Sequence, residues 1–152
     1  MKAKKRESAM TSDRNFKLTP EGQVVKDVFA AINRNDIPVA MAFFDPQIVR
    51  IEPEGFATEG TYRGLAEVSA HLSKGRGTWA EGSCEPEQLI VAGDKIVALL
   101  YVRVKLKDRS DWIEGRFADV FTFRAGKVIE MRTFAERQQA LEWAGAKSDD
   151  SN

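Results

Sequence analysis

The sequence predicts an α+β domain in which helices come first and a strongly curved antiparallel sheet follows. Three observations lead there. Up to Gly75 most apolar residues recur with the helical period of about 3.6, and from about Glu81 onward the period switches to two. Three turn sequences, AGDK, DRSD and RAGK, separate long alternating stretches. With 152 residues, 43% of them apolar, the chain matches a single domain that buries a substantial core. Helices followed by strands is the order in which helices cover one face of a sheet.

Residues 1 to 18, MKAKKRESAMTSDRNFKL, carry six basic side chains and few apolar ones, and read as a solvated basic tail. Glu7 and Asp13 within it are unlike an acid-poor transit peptide. The domain is expected over 19 to 145, and 146 to 152 as a frayed end. Thr19 is placed to cap a first helix with Pro20 at its first position and Val24, Val25, Val28, Phe29 and Ile32 on one stripe. Asp36 opens a second short helix, DIPVAMAFF, which Asp45-Pro46 ends. QIVRIE at 47 to 52 reads as a strand. GLAEVSAHLSKG at 64 to 75 reads as a third helix with Leu65, Val68 and Leu72 inward and Gly75 at its end. KGRGTWAEG is expected to be a flexible loop over a pocket mouth. Four strands then follow as a meander at 84 to 92, 95 to 107, 111 to 123 and 127 to 134, with AERQQALEWAG as a last helix across them.

Residues two apart in a strand share a face, so Asp119 of FADVFTF lies beside Phe117, Phe121 and Phe123. A two-residue turn at Arg109-Ser110 sets Asp119 opposite Leu100, Phe117 opposite Val102 and Phe121 opposite Ala98. The opposite face carries Val97, Leu99, Tyr101, Ala118 and Val120, flanked by Arg103 with Arg116 and Lys105 with Glu114. An apolar patch with a charged rim is expected to be a homodimer interface; a further packed element of the chain is the other reading. The last hairpin also has two readings. A two-residue turn at Ala125-Gly126 sets Asp119 opposite Arg132 as an ion pair, whereas a glycine bulge sets it beside Met131 and turns Ile129, Met131 and Thr133 inward. The second suits an apolar wall better.

Lys plus Arg and Asp plus Glu number 23 each, and no basic groove accompanies Trp79, Trp112 and Trp143, so no nucleic acid is expected. The longest apolar run, IVALLYV, is far below the roughly 20 residues that cross a bilayer, so no membrane partner is expected. One cysteine, Cys84, and one histidine, His71, leave no disulfide and argue against zinc or two-histidine iron sites; no metal and no cofactor are expected, and the setting is read as cytoplasmic. P-loop, dinucleotide, nucleophile-elbow and zinc-protease motifs are absent.

The apolar surroundings of Asp119 would raise its pKa, while Arg50, about 7 Å from Glu52 along one strand face, would keep Glu52 ionised. Such a pair suits proton abstraction beside a carbonyl. Glu52 reads equally as a pocket-mouth carboxylate paired to Arg50. Tyr62 of GTYRG lies either at the pocket rim or packed over the third helix, and His71 reads as a satisfied, partly buried histidine.

The helical pair leading into FFDPQIVRIEPEG, together with GTYRGLAEVSAHL and DVFTFRAGKVIEMRTF, resembles the nuclear-transport-factor-2-like superfamily over about residues 20 to 140. That superfamily includes ketosteroid isomerase and SnoaL-like polyketide cyclases. The resemblance implies a cone-shaped, cystatin-like sheet with three N-terminal helices on its concave face. It places Glu52 where ketosteroid isomerase has its general base and Asp119 where that enzyme has a protonated, hydrogen-bond-donating aspartate. The family's oxyanion tyrosine falls on about Val28. The implied function is binding of a small apolar or polycyclic molecule among Phe117, Phe121, Met131, Tyr62, Val28 and Leu100, with Asp119 and Glu52 as acid and base of a cofactor-independent isomerase, cyclase or lyase. The alternative is a non-catalytic ligand-binding or protein-association domain of the same fold.

Overall fold

The computed structural model describes residues 18–146; the basic stretch 1–17 and residues 147–152 lie outside it. Helix α1 spans Pro20–Asn33, α2 Ile37–Met41 and α3 Gly64–Arg76. Strands are β1 Phe44–Glu52, β2 Gly60–Arg63, β3 Trp79–Ala92, β4 Lys95–Leu106, β5 Trp112–Arg124 and β6 Lys127–Phe134, and helix α4, Arg137–Ala144, closes the chain. The six strands form one sheet in the order β2-β1-β6-β5-β4-β3. The meander β3 to β6 is antiparallel, and β1 joins its β6 edge in parallel.

Local chemistry explains the helical part. Thr19 is extended and its hydroxyl oxygen accepts from the Gly22 amide at 3.0 Å, while Val25, Val28, Phe29 and Ile32 are buried on one face of α1. Asp36 stands at the start of α2 without capping it through its side chain, which pairs instead with Arg34 at 3.8 Å. In α3 the inward face is Val68 and His71, and Leu65 points out at 37% exposure, so the stripe is rotated from the expected one. The segment expected to be a loop over the pocket is divided between α3 and β3. It is fastened to the end of α1 by Arg76, which donates to the carbonyls of Ile32 at 2.8 Å and Asn33 at 2.9 Å. Gly82, with φ of 112°, lets β3 approach β4 so closely that a Cβ there would stand 2.2 Å from the Arg103 carbonyl oxygen. Strand β2, which is not among the strands read from the sequence, pairs with β1.

Both hairpin registers differ from the expected ones in position but not in facing. Asp119 lies opposite Ala98, Phe117 opposite Leu100 and Phe121 opposite Ile96, a slip of two residues that leaves each side chain on its expected face. The slip brings Arg103 opposite Glu114, 3.5 Å away, where the expected pairing would have faced it with Arg116. The β5–β6 turn is the two-residue kind, with positive φ at Ala125 (52°) and Gly126 (82°). An irregularity one step further on leaves Ile129 unpaired, and beyond it Asp119 faces Thr133 rather than Met131 or Arg132. Arg132 turns to the other side of the sheet, paired to Glu130 at 2.9 Å.

The main core lies between the concave face and α1 to α3. The opposite face is not free: Val97, Leu99, Ala118 and Val120 are buried with Ile90 against Ala140 and Leu141 of α4. This corrects the assignment of that face as a homodimer interface, since an amphipathic helix of the same chain satisfies the patch. Only Tyr101 of the five remains outside the cluster, packed under the Arg116 guanidinium at 4.6 Å with its hydroxyl on Glu114.

Two substitutions test this packing. Leu141→Ala should cost roughly 2–4 kcal/mol in chemical denaturation, because it empties the contact that covers the second face. Gly82→Ala should cost roughly 2–3 kcal/mol, since it adds a Cβ at positive φ against backbone. A loss within 0.5 kcal/mol in either variant would contradict the geometry given for that site.

Candidate functional site

Three adjacent strands bring the polar groups of the concave face together. Arg50 on β1 pairs with Met131 on β6, which pairs with Phe121 on β5. The ladder ends at Ile51 with Arg132, and the same register carried one residue further sets Glu52 level with Thr133, which pairs with Asp119. Glu52 and Asp119 are therefore two strand spacings apart, about 10 Å between backbones, with β6 between them.

Asp119 is 3% exposed and accepts a hydrogen bond from the Thr133 hydroxyl. Burial pushes its carboxyl above the ordinary range; the charge of Arg50 and the Thr133 bond pull the other way, and Glu52 adds to the rise. Among the described residues no ion pair reaches it, because the nearby guanidinium is committed to Glu52. A carboxyl in an apolar wall with a single hydroxyl partner is suited to holding its proton.

Glu52 has the opposite environment. Burial pushes its carboxyl up, but hydrogen bonds from His71 and Thr58 and the charge of Arg50 bring it below the usual carboxylate range. Arg50 Nη2 lies 3.2 Å from Oε2, His71 Nε2 3.3 Å from Oε1, and the Thr58 hydroxyl also donates to Oε1. Arg50 itself is 4% exposed, its Nη1 donating to the carbonyls of Ile51 at 2.9 Å and Met131 at 3.2 Å. Two buried nitrogens here lack partners, Arg50 Nε and His71 Nδ1.

The segment 53–59, between β1 and β2, packs against the Glu52 end of the concave face. Thr58 bonds Glu52, the Thr58 carbonyl lies 3.1 Å from His71 Nε2, and Phe56 stands edge-on to Phe117 with centroids 6.1 Å apart. Tyr62 stacks on His71 at 4.0 Å and donates to the carbonyls of Thr58 and Glu59, so it braces this segment and packs over α3. Phe121, Leu100, Met131 and Val28 are wall residues of the main core, and Phe117 is partly buried beside them. Val28 is fully buried on α1 and offers no hydroxyl. Cys84 is also buried in this core, and burial pushes its thiol well up, so it stays protonated.

His71 and Thr133 are the residues that reading the sequence for function passed over. The helical spacing from Val68 already put His71 near the buried stripe, but its contact with Glu52 depends on how α3 crosses β1. No group of three or more His, Cys, Asp or Glu among the described residues is placed to hold a metal. A separate cavity of about 220 Å³ lies where the start of α1 meets the β3–β4 and β5–β6 turns, lined by Glu21, Val91, Asp94, Ile96 and Phe123 among others; neither carboxylate of the concave face reaches it.

Comparison with known proteins places the fold. A nuclear-transport-factor-2-like protein of unknown function from Burkholderia pseudomallei superposes with a TM-score of 0.70 at 24% identity, covering 84% of this chain and 99% of its own. TerC, crystallised with polyporic acid, superposes at 0.69 with 21% identity over 84% of this chain and 100% of its own. A Mycobacterium tuberculosis protein in complex with estradiol-17beta-hemisuccinate gives 0.67 at 15% identity over 76% of this chain and 93% of its own. A search of curated protein sequences returns no match. The sequence model of the SnoaL-like domain matches residues 25–131, a span that holds Arg50, Glu52, His71 and Asp119, and the chain belongs to the SnoaL-like domain family.

Proposed function

We propose that this protein takes up a small, largely apolar carbonyl compound in its cone and carries out acid–base chemistry beside the carbonyl, as an isomerase, cyclase or lyase without a cofactor. The observation that carries this reading is the split between two carboxylates of one concave face. Glu52 is held ionised by Arg50, His71 and Thr58, and Asp119 is pushed toward its protonated form by burial. In the step this suits, Glu52 takes a proton from the carbon next to the carbonyl. The C–H pair moves into a new C=C bond and the carbonyl π pair moves to oxygen, where the Asp119 O–H donates to the developing enolate. Because Glu52 is lowered, it is a weak base, which favours substrates whose proton is already acidified, such as 1,3-dicarbonyl compounds. The ligands of TerC and of the M. tuberculosis protein lend support, since they belong to proteins of the same fold. Entry would pass beneath Phe56, with segment 53–59 moving aside.

A second reading, a non-catalytic ligand-binding domain, is favoured by one observation. Val28 supplies no oxyanion hydroxyl, and the Arg50 guanidinium is already engaged with Glu52.

Exchange of α-protons in D2O, followed by NMR for a panel of cyclic ketones and 1,3-diketones, separates the two. Acceleration by the wild type, reduced about a hundredfold or more in Glu52→Gln, is expected for the enzyme; no acceleration for any member leaves the binding reading. The proposed protonation states have a thermodynamic signature as well. Asp119, raised in the fold, contributes stability below its ordinary pKa that is lost as pH rises through the raised value; Glu52, lowered, contributes stability above its ordinary pKa that is lost as pH falls through the lowered one. Asp119→Asn should therefore gain on the wild type in urea denaturation as pH rises above the ordinary carboxyl value of about 4. Glu52→Gln should lose roughly 1–3 kcal/mol at neutral pH, with the deficit shrinking toward pH 3. Differences that do not vary with pH would refute the split.

A further inference from the structure

We propose that Arg50 is the second oxyanion donor of this site, its Nε–H serving from β1 the role that Val28 leaves vacant on α1. The ligand class is then one that carries or develops a negative oxygen, an enolisable ketone or a phenol; this rests on the acid–base reading above.

The geometry of Arg50 points to this assignment. Three hydrogen bonds hold the outer end of the guanidinium, to Ile51 and Met131 carbonyls and to Glu52, so the group is fixed without a ligand. The inner nitrogen, Nε, is buried and has no partner. A buried charged donor left open is costly, and proteins seldom keep one without something to accept from it. Arg137 Nε is also open, but it belongs to the outer face, where that side chain reaches Glu87 at 3.6 Å. Arg50 instead lies on the concave face, near enough to Asp119 for its charge to be felt there, yet forms no ion pair with it among the described residues. An oxygen between the two would accept from Asp119 O–H on one side and Arg50 Nε–H on the other.

The remaining groups on this face do not compete for that oxygen. Glu52 is an acceptor already satisfied by Arg50, Thr58 and His71, Thr133 is turned to Asp119, and Cys84 keeps its proton. With Asp119 protonated, the charges of Arg50 and Glu52 cancel, so a bound oxyanion makes the site net negative and shares the Arg50 guanidinium with Glu52. Arginine cannot lose its proton, so this donor persists across the working pH range.

The test uses 4-nitrophenol, whose absorbance reports its ionisation, and 4-nitroanisole, which cannot ionise. Bound to the wild-type protein, 4-nitrophenol should ionise at least about one pH unit lower than free in solution, as expected where charge-assisted donors meet an oxyanion. Arg50→Gln should abolish the displacement and weaken phenolate binding about tenfold, with 4-nitroanisole binding unchanged. Arg50→Lys, which keeps the charge but lacks the fork, should restore less than half of the displacement. Ionisation of the bound phenol at the free value or above it overturns the assignment, and this arm needs only the wild type should Arg50→Gln not fold. If the wild type binds both compounds but Arg50→Gln binds the phenolate equally well, the oxyanion role fails while the pocket reading stands. If the wild type binds neither, the pocket reading fails and takes this inference with it.

Discussion

Alternation along the long strands β4 and β5 is the constraint on which the rest of this structure depends. Both faces of these strands are apolar, so each face needs its own cover. Ile96, Ala98, Leu100 and Phe121 meet α1 and its neighbours, while Val97, Leu99, Ala118 and Val120 meet α4. A one-residue slip would exchange the two sets and place Asp119 under α4, among alanine and leucine with no hydroxyl opposite. The two-residue slip that the β4–β5 hairpin adopts carries no such cost, and it relieves the confrontation of Arg103 with Arg116. Parity is tightly held, and register within a parity is left to charge and turn geometry.

The polar site follows from this frame. Once the concave face is apolar, any charged group on it must find a partner or give up its charge. Arg50 and Glu52 take the first course, side by side on β1 and tied further to backbone carbonyls, Thr58 and His71. Asp119 is pushed toward the second by burial, against the pull of its one hydroxyl donor, Thr133, and of a guanidinium that pairs with Glu52 instead. Two carboxylates whose ordinary pKa values differ by less than a unit are thereby pushed in opposite directions by their surroundings. Such a separation is what acid–base work at neutral pH requires.

The outer face shows how the same physics covers an apolar patch from within one chain. Charged side chains beside α4 form a connected set, with Glu87 bound by Arg116 at 2.9 Å and Arg137 at 3.6 Å, and Arg132 stacked on Trp143. These contacts are exposed and individually weak, but they locate α4 over the patch whose burial supplies the stabilisation.

Much of the fold was legible in the sequence because its signals are local. The Thr19-Pro20 cap, the switch of period from 3.6 to two, the Ala125-Gly126 turn and the facing of Asp119 all depend on residues within one or two turns of each other. The pairing of Arg50 with Glu52 was legible for the same reason, two residues apart on one strand. What tertiary structure alone decided are contacts across the chain: β1 lying parallel to β6, His71 reaching Glu52, Thr133 rather than Met131 or Arg132 facing Asp119, and which of the two readings of the outer face holds, where the last helix expected across the strands covers it. Spacing within an element determines which face a side chain takes. Only the packing of elements remote in sequence determines what that face meets, and so whether a buried carboxylate finds a cation, a hydroxyl or a ligand.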